Sequence, residues 1–217
     1  MSIEVILADD HAVVRDGIKA VVERKGQDIK IVGEASNGKE VLEMAKSKPA
    51  DVYVLDVAMP ILNGIETTER LRKIDKNCKI IILSVHDDRS FVEKALKYGA
   101  HGYILKESAT EEIIQAIREV YTDKYFLSPK ISKFIVDGYL GKRYHYEPNK
   151  NVIDLTKRER EILQLIAEGF TNKEIATQLK LSLNTVHVHR NNLMKKLGIH
   201  RQADLVRYAL KEGITHL

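Results

Sequence analysis

The sequence predicts two joined folds: an α/β unit with a doubly wound parallel sheet, followed by an all-α unit built around a helix-turn-helix. Three observations carry this. Up to residue 121, short Val- and Ile-rich runs alternate with amphipathic stretches of helical period. The polar stretch GKRYHYEPNKN then interrupts the alternation. Beyond it only helical periodicity remains, with two Thr-x-x-Glu capping signals and a tight turn between short helices.

Taken in order, the apolar runs are Ile3–Ala8, Ile29–Gly33, Val52–Leu55, Ile80–Leu83 and Gly102–Leu105. Each is short and bounded by turn or charged residues, the pattern of a strand buried on both faces. Helical patterns lie between them near 12–25, 38–47, 64–74, 89–98 and 110–121. In the last, Ile113, Ile114, Ile117 and Val120 make one apolar face, and Ser108 with Glu111 has the spacing of a capping box. Pro129 suits the first turn of a helix running to Leu140, inside a connecting segment 122–150. From Leu155, Thr156 and Glu159 open a helix with Ile162, Leu163 and Ile166 inward, and Gly169 ends it. Thr171 and Glu174 open the next, with Ile175, Ala176 and Leu179 inward. The turn Lys180–Leu181–Ser182 leads into a third helix with Val186, Leu193 and Leu197 inward, closed by Gly198, and a fourth spans Arg201–Lys211. The predicted organisation is therefore 1–121, a linker 122–150 with a helix at 129–140, and 151–217.

Composition narrows the function classes. Of 217 residues, 44% are hydrophobic and 30% charged, which suits packed cores and argues against disorder. A lone cysteine, Cys78, excludes a disulfide framework and a Cys-based zinc site. The start MSIEVILADD lacks the form of a signal peptide, and no apolar stretch is long enough to cross a bilayer, so a cytoplasmic protein without membrane contact is expected. The net charge of +4 is carried by 151–217, which holds 11 Lys+Arg against 7 Asp+Glu. A basic module joined to a neutral one points toward nucleic acid.

In a parallel α/β sheet, ligands bind beyond the carboxyl ends of the strands. Asp9 and Asp10 follow the first predicted strand, Asp56 the third, Ser84 the fourth and Lys106 the fifth. Three carboxylates on one edge repel and call for a cation. Oxygen ligands alone suit Mg²⁺, and His11 and His86 are read as a helix-start residue and a bystander. A lysine charge and a serine hydroxyl suit phosphoryl oxygens. The set describes phosphoryl chemistry on an aspartate nucleophile.

Asp9-Asp10, LDVAMPILNG with Asp56, Met59, Pro60 and Gly64, Leu83-Ser84, and Lys106 together resemble the receiver domain of response regulators over about 1–121. The resemblance implies a (βα)5 sheet of strand order 2-1-3-4-5. It implies that Asp56 accepts phosphate from a sensor histidine kinase, and that Asp9, Asp10, Asp56 and the Ala58 backbone carbonyl hold Mg²⁺. Lys106 and Ser84 would contact the phosphoryl group, and Ser84 with Tyr103 would form a switch pair. Ala58, two residues after Asp56, offers no polar side chain to position an attacking water, so slow loss of the phosphoryl group is expected.

In the second unit, the helix SLNTVHVHRNNLMKKL directs Asn184, His187, Val188, Arg190, Asn191 and Lys195 outward. Asn suits adenine, Arg guanine or phosphate, and Val a thymine methyl. Thr171, Asn172, Lys173, Thr185 and Lys196 suit phosphate contacts. The segment from LTKREREIL through the TVxxHxxNxxxKL pattern, about 155–210, resembles the LuxR-type helix-turn-helix, and the two matches together resemble the NarL/FixJ-type response regulators. That implies a transcriptional regulator that dimerises when phosphorylated, binds promoter DNA and meets RNA polymerase, with His187, Val188 and Asn191 reading bases. A basic residue is common in the family where His187 and Asn191 stand, which leaves the recognised base sequence open.

Three other readings compete. A haloacid-dehalogenase-type, Mg²⁺-dependent phosphatase would carry a second Asp where Ala58 stands, and its nucleophile would follow the first strand. A regulator indifferent to phosphorylation would not need the acidic site. A second unit that meets protein would lack the steep salt dependence of DNA affinity. The expected catalysis is limited to the receiver's own phosphoryl transfer and dephosphorylation.

Overall fold

The computed structural model describes residues 2–87, 89–139, 155–212 and 214–215. The chain divides into two compact units, one on each side of residues 144 and 145.

The first unit runs β1 (Ile3–Ala8), α1 (Ala12–Lys25), β2 (Ile29–Ala35), α2 (Gly38–Ser47), β3 (Val52–Asp56), α3 (Gly64–Ile74), β4 (Lys79–Ser84), α4 (Arg89–Lys97), β5 (Gly102–Leu105), α5 (Ala109–Tyr121), β6 (Phe126–Leu127) and α6 (Pro129–Tyr139). The strands pair in the order β2-β1-β3-β4-β5-β6, all parallel. Alternate residues of each strand serve opposite faces. Ile6, Leu55, Ile82 and Tyr103 face a core shared with Val41, Leu71 and Val92. Leu7, Val54, Leu83 and Ile104 face the other, against Val22, Ile113 and Ile117. This two-sided burial explains the unbroken Val/Ile runs.

Helix starts are fixed locally. Asn37 accepts from the Glu40 N–H and Asn63 from the Glu66 N–H, so both short side chains satisfy first-turn donors. Ser108 does not cap α5. Residues Lys106–Ser108 form a 3₁₀ turn, and the Ser108 hydroxyl donates back to the Leu105 carbonyl at 3.2 Å. The tighter turn spends the hydroxyl on the strand end, where Glu111 cannot reciprocate.

The principal departure from expectation is the sixth strand. Gly102 pairs with Phe126 and Tyr103 with Leu127, extending the expected five-strand order by one. The following helix sends Ile131, fully buried, into the core beside Tyr103. Residues 126–139, expected within the linker, thus belong to the first unit: β6 pairs with β5, and α6 lies beside α4 with Ile131 in the core. A two-residue strand is too short to show an alternating period, which is why it escapes the pattern. The remainder of the expected linker, from Leu140 to residue 150, lies outside the described residues.

The second unit comprises α7 (Lys157–Ala167), α8 (Asn172–Leu179), α9 (Leu183–Leu197) and α10 (Gln202–Lys211) among the described residues. Both expected capping boxes form, Thr156 with Glu159 and Thr171 with Glu174. Lys180 ends α8 in the left-handed region (φ 53°, ψ 48°), and Ser182 then accepts from the Thr185 N–H at 3.0 Å. These two residues make the turn that sends α9 across α8. Ile162, Leu163, Ile166, Ile175, Val186, Leu193, Leu205 and Ala209 close the core.

Candidate phosphoacceptor site and nucleic-acid interface

Parallel strands end on one edge, and the ends of β1, β3, β4 and β5 deliver the acidic site. Asp9 and Asp56 are buried, at 0% and 1% exposure, while Asp10 is exposed. The Lys106 Nζ lies 2.7 Å from Asp9 Oδ2 and 2.9 Å from Asp56 Oδ2, bridging two strand ends. Asp9 Oδ1 accepts from the His11 N–H at 2.9 Å. His11 stands at the N-cap of α1, and its Nδ1 is 2.7 Å from Asp10 Oδ1.

Burial pushes the Asp56 carboxyl up to about 6, and the neighbouring Asp9 charge adds to this; Lys106 and the Ala58 N–H oppose it. For Lys106, burial works against the charged form, but Asp56 and Asp9 overcome it and raise its pKa. One ammonium therefore serves two carboxylates. Among the described residues, the buried Oδ2 atoms of Asp9 and Asp56 have no partner other than this ammonium. Ligand atoms of Asp9, Asp10, His11 and Asp56 lie within 4.8 Å of one another. The excess of negative charge and the supply of carboxylate oxygens fit a small hard cation, which favours oxygen over the His11 imidazole.

The β3–α3 loop is drawn tight against Asp56. Ile61 takes φ 68°, and a Cβ on Gly64 would collide with the Asp56 carbonyl. Ser84 and Tyr103 meet through one residue rather than directly. The Ser84 Oγ accepts from the His86 N–H at 2.9 Å, and the Tyr103 hydroxyl donates to the His86 carbonyl at 2.8 Å. The His86 ring stacks on Phe91, with centroids 4.4 Å apart.

The expected residues left unread a further cluster beside the site. Lys130, at the start of α6, lies 2.9 Å from Asp87 Oδ2 and 3.5 Å from Glu107 Oε1. Ser128, buried, accepts from the Leu105 N–H at 3.1 Å and donates to Glu112. These partners are far apart in sequence, and only the position of β6 beside β5 brings them together.

In the second unit, Asn184, His187, Val188, Asn191 and Lys195 are exposed along α9, and Lys173 is exposed on α8. Thr185 is half-buried, and its hydroxyl is 2.7 Å from the Ser182 Oγ. Arg190 departs from the outward orientation expected of it. It is half-buried, with Nη1 donating to Asn172 Oδ1 at 3.0 Å and Nη2 to Gln202 Oε1 at 2.9 Å. Five donors on a planar fork suit such a clamp between helices better than a single aliphatic ammonium does. Lys196 also turns to a protein partner, placing Nζ 2.7 Å from Glu159 Oε2. Asn172 Nδ2 lies 3.5 Å from His187 Nδ1.

A lysine-bridged acidic pocket at the carboxyl edge of a doubly wound sheet, carried on one chain with a helix-turn-helix, defines a response regulator with a DNA-binding output module. Residues 5–118 match the family described as the response regulator receiver domain, and residues 154–209 match bacterial regulatory proteins of the luxR family. The chain belongs to the two-component response regulators of the luxR type, which act in transcription regulation. It is 35% identical to the oxygen regulatory protein NreC of Staphylococcus carnosus, covering 97% of this chain and 98% of that one. It is also 35% identical to the nitrate/nitrite response regulator NarL of Escherichia coli, over 97% and 96%. Among solved structures, RcsB of Salmonella typhimurium matches at TM-score 0.60 and 27% identity, over 95% and 97%. An RcsB–DNA complex matches at TM-score 0.58 and 26% identity, over 96% and 98%. Among the described residues, no helix is long and apolar enough to cross a membrane.

Proposed function

We propose that Asp56 accepts a phosphoryl group from the phosphohistidine of a sensor kinase, and that this controls promoter binding through α9. The observation that carries the reading is the position of Lys106 Nζ within 3 Å of both Asp9 and Asp56. An Asp56 carboxylate oxygen attacks phosphorus. The P–O bond forms as the donor's P–N bond breaks, and the departing imidazole nitrogen keeps the electron pair. Lys106 and the Ser84 hydroxyl bind phosphoryl oxygens: the Ser84 O–H is the donor, while its oxygen accepts from the His86 N–H. Asp9, Asp10, Asp56 and the Ala58 carbonyl would hold Mg²⁺, which supplies charge neutralisation on the phosphoryl oxygens. Movement of Ser84 toward the phosphoryl group would pull on the 86 backbone, which Tyr103 also holds through its hydroxyl.

A phosphorylated homodimer would then place two α9 helices in successive major-groove half-sites, with the second site bound intramolecularly. The complexes of RcsB with DNA, including one described as two RcsB dimers on two parallel DNAs, support this arrangement. Asn184, His187, Val188 and Asn191 face bases, and Lys173, Lys195 and Thr185 approach phosphates. RNA polymerase is the downstream partner, and the cytoplasm the site of action. The chain acts on no external substrate. A phosphatase reading is disfavoured because Asp56 ends the third strand and Ala58 occupies the place of the required second Asp.

Acetyl phosphate with Mg²⁺ tests the proposal, beside Asp56→Asn, with phosphate incorporation and sedimentation as readouts. Wild type should gain one phosphate and shift toward dimer while the variant does neither. Phosphate uptake without dimerisation would refute the dimer step, and dimerisation or DNA binding equal in both proteins would refute control by Asp56.

A further inference from the structure

We propose that His187 is held as a hydrogen-bond donor, with its proton on Nε2, and that guanine is therefore the preferred base opposite it. The inference rests on the reading of α9 as the recognition helix and specifies what one of its side chains can read.

A guanidinium has donors only. Arg190 Nη1 donates to Asn172, so the amide atom facing it is the oxygen, as its 3.0 Å contact to Oδ1 requires. Gln202 Oε1 receives Nη2 at 2.9 Å and holds the fork from the α10 side. The Asn172 amide orientation, ambiguous in isolation, is therefore set by its partner. Its NH₂ group is then the atom 3.5 Å from His187 Nδ1. An NH₂ group also only donates, so Nδ1 must accept. A neutral imidazole that accepts at Nδ1 carries its proton on Nε2. The ring itself is exposed on α9, so the nitrogen available to a ligand is a donor.

A single donor in the major groove distinguishes bases by their edges. Guanine presents two adjacent acceptors, N7 and O6. Cytosine presents only its N4 amino group, a donor that opposes Nε2–H. Adenine pairs an acceptor with a donor, and thymine sets its one acceptor beside a methyl group. Guanine is thus first and cytosine last. One such hydrogen bond, at the low end of the range for base contacts, gives a preference of roughly fivefold. Asn172 and Arg190 act here as positioning residues: they fix the proton on His187 without needing to touch DNA.

Two measurements on the full chain test this. The first is a long-range ¹H–¹⁵N spectrum of ¹⁵N-histidine protein at pH 8 without DNA. It should show His187 protonated at Nε2 and bare at Nδ1, and Arg190→Met, which frees the Asn172 amide to turn over, should mix the two tautomers. The second is selection from randomised duplexes by wild type, His187→Ala and Asn172→Leu. The position whose preference collapses in His187→Ala should carry guanine in wild type. Asn172→Leu should lower guanine-over-cytosine discrimination there toward unity while selection at other positions persists. An Nδ1–H tautomer in wild type, or cytosine at the His187-dependent position, would overturn the inference. If the triple variant His187→Ala/Val188→Ala/Asn191→Ala loses selection but His187→Ala alone does not, the inference fails and the recognition helix stands. If the triple variant selects as wild type does, the recognition-helix reading itself fails.

Discussion

Lys196 can be a phosphate contact or a structural counter-charge, and Lys196→Met separates the two. Its ammonium lies 2.7 Å from Glu159 Oε2, the same oxygen that accepts the Thr156 N–H at 2.8 Å at the start of α7. Glu159 is 4% exposed, whereas the Lys196 side chain is 40% exposed. Exposed pairs contribute about 0.2–1 kcal/mol, and loss of one partner from a fully buried pair costs about 3–5 kcal/mol. This pair is buried at one end and wet at the other, and the carboxylate keeps its Thr156 donor, so the loss should be about 1–2 kcal/mol. For a unit of this size that lowers its melting temperature by roughly 5–15 °C. Calorimetry of the full chain reads it directly. The acid limb adds a second signature. Burial works against the Glu159 carboxylate, but Lys196 and Thr156 overcome it and hold its pKa below the ordinary 4.5. The stabilisation is thus present above pH ~4.5 and lost as pH falls through the lower folded value, so wild type and variant should converge in acid. The slope of DNA affinity against salt should remain that of wild type. An unchanged melting temperature with a slope reduced by about 0.9 would refute the structural role and make Lys196 a phosphate contact.

Four further outcomes are expected. Mg²⁺ should raise the melting temperature of the first unit, by an amount equivalent to about 2.7 kcal/mol at a hundredfold excess over its dissociation constant; a chelator should reverse this, and Asp9→Asn with Asp10→Asn should abolish it in thermal scans. Gly64→Ala, whose Cβ would strike the Asp56 carbonyl, should cost about 1–3 kcal/mol and impair phosphate uptake from acetyl phosphate; a variant that is phosphorylated at the wild-type rate would count against the tight loop. Ile131→Ala should destabilise the first unit by about 2–5 kcal/mol in denaturant titrations, as a core residue does and a linker residue does not. Ala58→Asn should speed loss of the phosphoryl group, measured by decay of labelled protein, since an amide could then position the attacking water; an unchanged rate would remove that explanation for slow turnover.

Much of the acidic site was legible because a parallel sheet converts strand ends into neighbours. Once Ile3–Ala8, Val52–Leu55 and Gly102–Leu105 are read as strands, Asp9, Asp56 and Lys106 must lie on one edge, and they do. The caps at Thr156, Thr171 and Ser182 were legible for a similar reason: each is settled within four residues. What escaped depends on contacts between distant segments. Arg190 and Lys196 occupy outward positions on α9 by period, yet Arg190 is drawn to Gln202 and half-buried, and Lys196, still exposed, pairs with Glu159 on another helix. Period identifies the face of a helix, but it carries no record of which neighbour supplies an acceptor. Ser108 failed as a cap because a 3₁₀ turn and a capping box share the same short polar residues, and the choice between them is made by the end of β5.

The anchorage of α6 has a consequence for how far a message must travel inside this molecule. Leu105, whose N–H holds the Ser128 hydroxyl, is the residue bonded directly to Lys106. Lys130, two residues further, is shared by acidic side chains from the two loops that flank the pocket. The covalent route toward the second unit therefore departs from the rim of the pocket itself. A displacement of Lys106 would need to cross only one peptide bond and one hydrogen bond, through buried Leu105, to reach Ser128 just ahead of α6.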